Sequence, residues 1–81
     1  MKFIEKLKEL EGQYMFMKYA GGSEYGKLVY VGEDFLQFDI FDVTTMEYSE
    51  TLYSNPRLVL EIMVGGSDIQ RIVAEVSYQM N

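Results

Sequence analysis

The stretch that decides the fold is residues 26–43, GKLVYVGEDFLQFDIFDV. Its second half alternates cleanly. Leu36, Phe38 and Ile40 share one parity, and Phe35, Gln37 and Asp39 share the other. Side chains of a strand change face at every residue, so the first trio enters a core and the second faces outward. Residues 27–31, rich in Val and Tyr, form a second strand-like run. Gly32, Glu33 and Asp34 lie between the two runs, and glycine beside a strand marks a bend, bulge or turn. The stretch therefore reads as two tightly joined, strongly curved strands whose outer face carries Phe35 and Gln37.

Upstream, residues 1–11 predict a short helix. Phe3, Leu7 and Leu10 fall at spacings of four and three, with Ile4 at the edge of the stripe. Gly12 stops it. Such a helix is marginal alone in water, so it must lie as a lid on an apolar sheet. A membrane-surface role is the rival, disfavoured because its polar face mixes Lys and Glu. Residues 13–20 read as strand one, apolar on both faces, as suits burial on two sides or an interface. Gly21, Gly22 and Ser23 turn the chain, and residues 25–31 and 35–43 are strands two and three.

Residues 44–56 are either a protruding hairpin built from the flanking strands or a mobile interaction loop, since long structureless loops are uncommon in compact domains. Asn55 followed by Pro56 signals a turn at the end. Residues 57–64 read as strand four and residues 68–80 as strand five. In the last, the period slips after Ile69 and Ile72 before Ala74, Val76 and Tyr78 alternate, which is read as a bend or bulge.

The totals narrow the class. Eighty-one residues suggest one domain, 1–81, with a thin core. An apolar share of 48% argues for a folded chain, and seven Tyr and five Phe favour strands. Without Cys there is no disulfide framework or thiolate metal site. Without His the commonest general base is missing. No catalysis, cofactor or metal is expected. No apolar run reaches the roughly 20 residues of a membrane span, and cytoplasmic is the expected location. The net charge of −6 predicts weak non-specific attraction to nucleic acid while leaving room for a local site.

A leading helix and five successive antiparallel strands describe a mostly β, strongly bent small barrel over residues 13–81. Five short strands leave two edges open. Pairing strand four of one copy with strand five of the next is a head-to-tail contact, which closes into a ring of about five to seven copies. A monomer or simple dimer is the competing expectation.

At this point the residues resemble the Sm/LSm family, which includes the bacterial host-factor RNA chaperone. The family's first motif is an acid, any residue, an aromatic or His, Met and Asn. Here Glu33, Asp34, Phe35, Leu36 and Gln37 stand in that pattern. Gly26 and Leu28 are similar to the glycine and leucine of the family's second strand, with one extra residue before the acid. The second motif is matched by Val64, Gly65, Gly66, Ser67, Asp68, Ile69 and Ile72, with Gly65 where the family has Arg. The resemblance implies an SH3-like, Sm-like barrel, a homo-oligomeric ring, and binding of single-stranded RNA, or DNA, in RNA processing or chaperoning.

The chemistry of that expected site follows from the residue types. Phe35 stacks a base, and the Gln37 amide offers both a donor and an acceptor to a base edge. Ser67 and the backbone of Gly65 and Gly66 line the opposite wall, where glycine permits close approach. Packing of Phe35 against the helix or a neighbour, surface polarity for Gln37 and a plain hairpin turn for the glycines are the competing roles. Glu33, Asp34, Asp39 and Asp42 read as solvated surface, and Lys18, Lys27, Arg57 and Arg71 as scattered cations. A ring that keeps the scaffold as a structural or protein-interaction part, without the RNA site, is the second functional expectation. A small enzyme or regulator that uses the carboxylates is a distant third.

Overall fold

A computed structural model describes residues 2–79, with side chains through Val76. Helix α1 (Phe3–Glu9) leads into β1 (Tyr14–Tyr19), β2 (Gly22–Val31), β3 (Leu36–Asp42) and β4 (Glu47–Ser54). A 3₁₀ turn (Pro56–Leu58) connects to β5 (Val59–Met63), and helix α2 (Ser67–Gln79) follows. All strand pairs are antiparallel, in one open sheet of order β4-β3-β2-β1-β5. The predicted helix began at Met1 and the predicted last strand ended at Met80; both residues, and Asn81, lie outside the described residues.

The alternation in β3 sets the two faces. Leu36, Phe38 and Ile40 are buried, while Gln37, Asp39 and Phe41 are only partly covered. Met15, Met17, Leu28, Val31 and Val59 join the buried trio, and Leu7 of α1 closes the cluster with Ile4 and Leu10 beside it. The helix is thus a lid on the apolar face, and its burial there offsets its weak intrinsic stability. Gly32 donates its amide to the Phe35 carbonyl at 2.9 Å, which makes the β2–β3 connection tight. Three register shifts, between Lys18 and Tyr19, Leu28 and Tyr30, and Ile40 and Phe41, add local twist to the sheet.

The segment with two predicted readings takes one of them. Residues 44–56 take the hairpin option. Asp42 Oδ1 accepts the amides of Thr44 at 2.8 Å and Thr45 at 3.4 Å, and the chain returns as β4. The fourth strand is therefore 47–54, and the run predicted as strand four supplies β5. The side chain of Asn55 accepts the Arg57 amide at 2.9 Å and starts the 3₁₀ turn, as the Asn-Pro pair suggests.

The larger correction is the predicted fifth strand, residues 68–80, which is helical over Ser67–Gln79. Ile69 and Ile72 are both buried and Val76 is half-buried. Their spacing of three and four is the helical period, so the slip read as a strand bulge was a helical stripe. These two isoleucines lie outside the main core. Helix α2 packs on β1, and its Asp68 accepts the Tyr25 hydroxyl at 3.2 Å. Tyr25 pairs with Phe16, on the parity opposite the buried Met15 and Met17. The second helix therefore covers part of the outer face, and β1 is sandwiched, as its two apolar faces require.

Candidate functional site

The outer face at the β2–β3 turn carries three aromatic rings. The Phe35 ring centroid is 5.3 Å from that of Tyr30, tilted 43°, and 6.2 Å from that of Tyr53, tilted 59°. Tyr30, Phe35 and Tyr53 remain 44%, 46% and 64% exposed, so Phe35 meets both tyrosines without being sealed. Gln37 lies opposite Tyr30 on one side and Tyr53 on the other, so its amide sits in the row between two tyrosines.

Tyr30 reaches this face because of the irregularity before it. In a regular strand Leu28 and Tyr30 share a face. Leu28 is opposite Phe38 and Tyr30 is opposite Gln37, so Val29 is an extra residue on the β2 side. It reverses the parity, placing Val31 in the core and Tyr30 outside. Tyr53 arrives from β4. Neither position carries a signal in the sequence beyond being an aromatic strand residue.

Cations border the cluster. Lys8 Nζ donates to Glu33 Oε1 at 2.6 Å. That hydrogen bond, then the Lys8 charge, and more weakly Lys2 and Arg57, hold the Glu33 carboxyl below its ordinary value against a small desolvation effect. The Lys8 ammonium is correspondingly raised, first by the bond to Glu33 and in part by the nearby Tyr30 phenol. Lys2, Glu33 and Arg57 also line an open cleft of about 400 Å³ between α1 and the 3₁₀ turn, with Phe3, Ile4, Pro56 and Val59 as its apolar walls. Lys8 is thus placed beside the aromatic platform through Tyr30, while Lys2 and Arg57 lie with Glu33 on the cleft, in a chain whose net charge is −6. Arg57 was read as one of several scattered cations, and only the fold brings it beside Glu33.

No family model matches this sequence, and neither the curated proteins nor the solved structures give a match.

Gly65, Gly66 and Ser67 lie elsewhere. They border a small cleft with Phe16, Tyr25 and Met63, where β5 passes into α2. Tyr25 is five residues before Tyr30 on β2, on the order of 15 Å along the strand. Within one chain the expected opposite wall does not face Phe35 and Gln37. The two glycines, at φ of 82° and 90°, turn the chain into the helix and are not a hairpin turn between strands. Among the carboxylates, Asp39 accepts the Thr51 hydroxyl at 2.9 Å and Asp42 caps its turn, so both have local structural partners. Among the described residues no group of His, Cys, Asp and Glu is arranged to hold a metal ion, and no helix is long and apolar enough to cross a membrane.

Proposed function

We propose that this chain is an Sm-like ring subunit that binds single-stranded nucleic acid, RNA in the first place, without catalysing a reaction. The observation that carries this reading is the exposed Tyr30, Phe35 and Tyr53 cluster with Gln37 set within it. Bases stack on these rings, each stacked base contributing about 1–3 kcal/mol. The Gln37 amide meets one base edge. Lys8, which Glu33 holds in place beside Tyr30, receives a phosphate.

Ring assembly draws support from the sheet order. Both β4 and β5 are edges, and Leu58, Leu60, Met63 and Val64 on or beside β5 are exposed apolar side chains. Unpaired edges invite pairing with another chain. With the predicted fifth strand replaced by α2, the pairing runs from β4 of one copy to β5 of the next. A leading helix, five strands and three register shifts around one core suit the bent Sm-like barrel.

A protein-interaction ring without nucleic acid is the second reading, favoured by the −6 charge and by the same exposed apolar edge. Fluorescence anisotropy on labelled oligouridine, oligoadenine and single-stranded DNA at low salt separates the two. Binding that is lost in the Phe35→Ala, Gln37→Ala double variant, with particle mass unchanged, supports the first. No affinity of the intact protein for any of these oligomers leaves the second.

A further inference from the structure

The cleft of about 400 Å³ between α1 and the 3₁₀ turn combines an apolar floor with exposed charges. The floor is held by the fold itself. Val59 belongs to the core, Ile4 packs against it and Pro56 is buried. Phe3 stands at the same cleft. By spacing it belongs to the apolar stripe of α1, yet Leu7 reaches the core and Phe3 stays 42% exposed. The charges are Lys2, Arg57 and Glu33. Among the described residues the side-chain ion pairs are Lys6–Glu9 and Lys8–Glu33, so neither Lys2 nor Arg57 has one. Both nevertheless act through space on the Glu33 carboxyl, so the two cationic heads lie toward the same carboxylate. Two cations less one carboxylate leave the lining one net positive charge, in a chain of −6.

Pockets for small molecules, about 300–1,000 Å³, are mostly apolar with a few polar groups that fix orientation. This cleft has that make-up at the small end of the range. An arginine guanidinium forks to a carboxylate, and a lysine beside it adds a point charge. One net positive charge matches a singly charged head better than a phosphate monoester, which carries about −1.5 to −2 at neutral pH. No Ser, Thr, Asn, Gln or Tyr lines the cleft, so a nucleobase edge finds no neutral side chain to read it. We propose that this cleft binds a small monocarboxylate with an apolar body, its carboxylate held by Lys2 and Arg57 and its body lying on Phe3, Ile4 and Val59. The site does not rest on the nucleic-acid reading, which uses the Tyr30, Phe35 and Tyr53 rings.

The test is an NMR titration of the full chain with octanoate. Acetate, octyltrimethylammonium, a peptide ending in a free leucine carboxylate, and oligouridine are parallel arms. The expected result is saturable shifts of the Phe3 ring and of the Ile4 and Val59 methyl signals, with octanoate binding tightest. Arg57→Gln weakens octanoate about two- to fivefold, the worth of an exposed ion pair. That variant keeps the turn, because Asn55 accepts the Arg57 backbone amide and not its side chain. Glu33→Gln acts with the opposite sign and tightens octanoate, since it removes the carboxylate of the lining. No shift at the highest soluble octanoate, or an affinity that neither variant moves, overturns the proposal. Acetate binding as tightly overturns it in favour of an adventitious anion, and octyltrimethylammonium binding as tightly in favour of a merely greasy surface. A tighter leucine peptide overturns it in favour of a protein C-terminus, and displacement of octanoate by oligouridine in favour of nucleic acid.

Discussion

Gly26 shows how one missing side chain sets the β2–β3 spacing. A Cβ there meets the Asp39 carbonyl oxygen and comes within 2.7 Å of the Phe38 ring, a fully buried core residue. Gly26→Ala must push the two strands apart, and a loss of about 1–3 kcal/mol is expected in urea unfolding. Met46 gives the opposite case. It holds φ at 60° in the β3–β4 turn, a region costly to side chains. Met46→Gly removes that strain and raises stability by up to about 1 kcal/mol, read as a higher denaturant midpoint. Glu33 carries a pH signature. Its carboxyl is lowered in the fold, chiefly by the Lys8 hydrogen bond, so its ionised form favours the native state. That contribution is present above the ordinary carboxylate value of 4.5 and disappears as pH falls through the lowered one. Glu33→Gln flattens the acid limb of stability against pH in that window. At this scale the alternation of Leu36, Phe38 and Ile40 was legible because burial follows parity. The outward turn of Tyr30 was not, because an extra residue in a strand leaves no mark on composition.

Among the elements, α2 is where local pattern and strand propensity pulled apart. Ile69, Ile72, Val73 and Val76 favour strands by type, yet Ile69, Ile72 and Val76 repeat with the helical period. Tertiary context decides: the outer face of β1 offers an apolar seat, and a helix stripe fills it. Ile72 is 1% exposed there, so Ile72→Ala costs about 2–5 kcal/mol, measurable by thermal unfolding followed at 222 nm. A much smaller loss means α2 is not packed on the sheet. The β4 strand was hard to read for the converse reason. Residues 47–50 are exposed on both faces, so no apolar alternation announces them, and the turn chemistry of Asp42 sets the hairpin instead. Helix α1, by contrast, was legible from the stripe of Phe3, Leu7 and Leu10, because Leu7, with Ile4 and Leu10 beside it, has the core to meet, although Phe3 itself stays 42% exposed.

The molecule as a whole has a polarity that no single segment reveals. The aromatic platform and Lys8 sit around the β2–β3 turn and α1, and the cleft of Gly65, Gly66 and Ser67 sits where β5 passes into α2. The sequence exposes Phe35 and Gln37 as neighbours through their spacing of two. It cannot show that Lys8 on α1 comes beside Tyr30, nor that Gly65 to Ser67 end up remote. The open edges β4 and β5 lead to an assembly prediction. Light scattering should give a mass near five to seven times the 9.4 kDa chain, and Leu60→Lys on the exposed β5 edge should lower it. A wild-type mass of one chain removes the ring and leaves the platform to act alone. The platform is tested most directly by NMR titration of the full chain with oligouridine, following the aromatic and side-chain amide signals. The account predicts saturable shifts at Tyr30, Phe35, Tyr53 and the Gln37 amide, with Gly65 and Gly66 unmoved. Shifts confined to Gly65, Gly66 and Ser67, or none at saturating oligomer, contradict it.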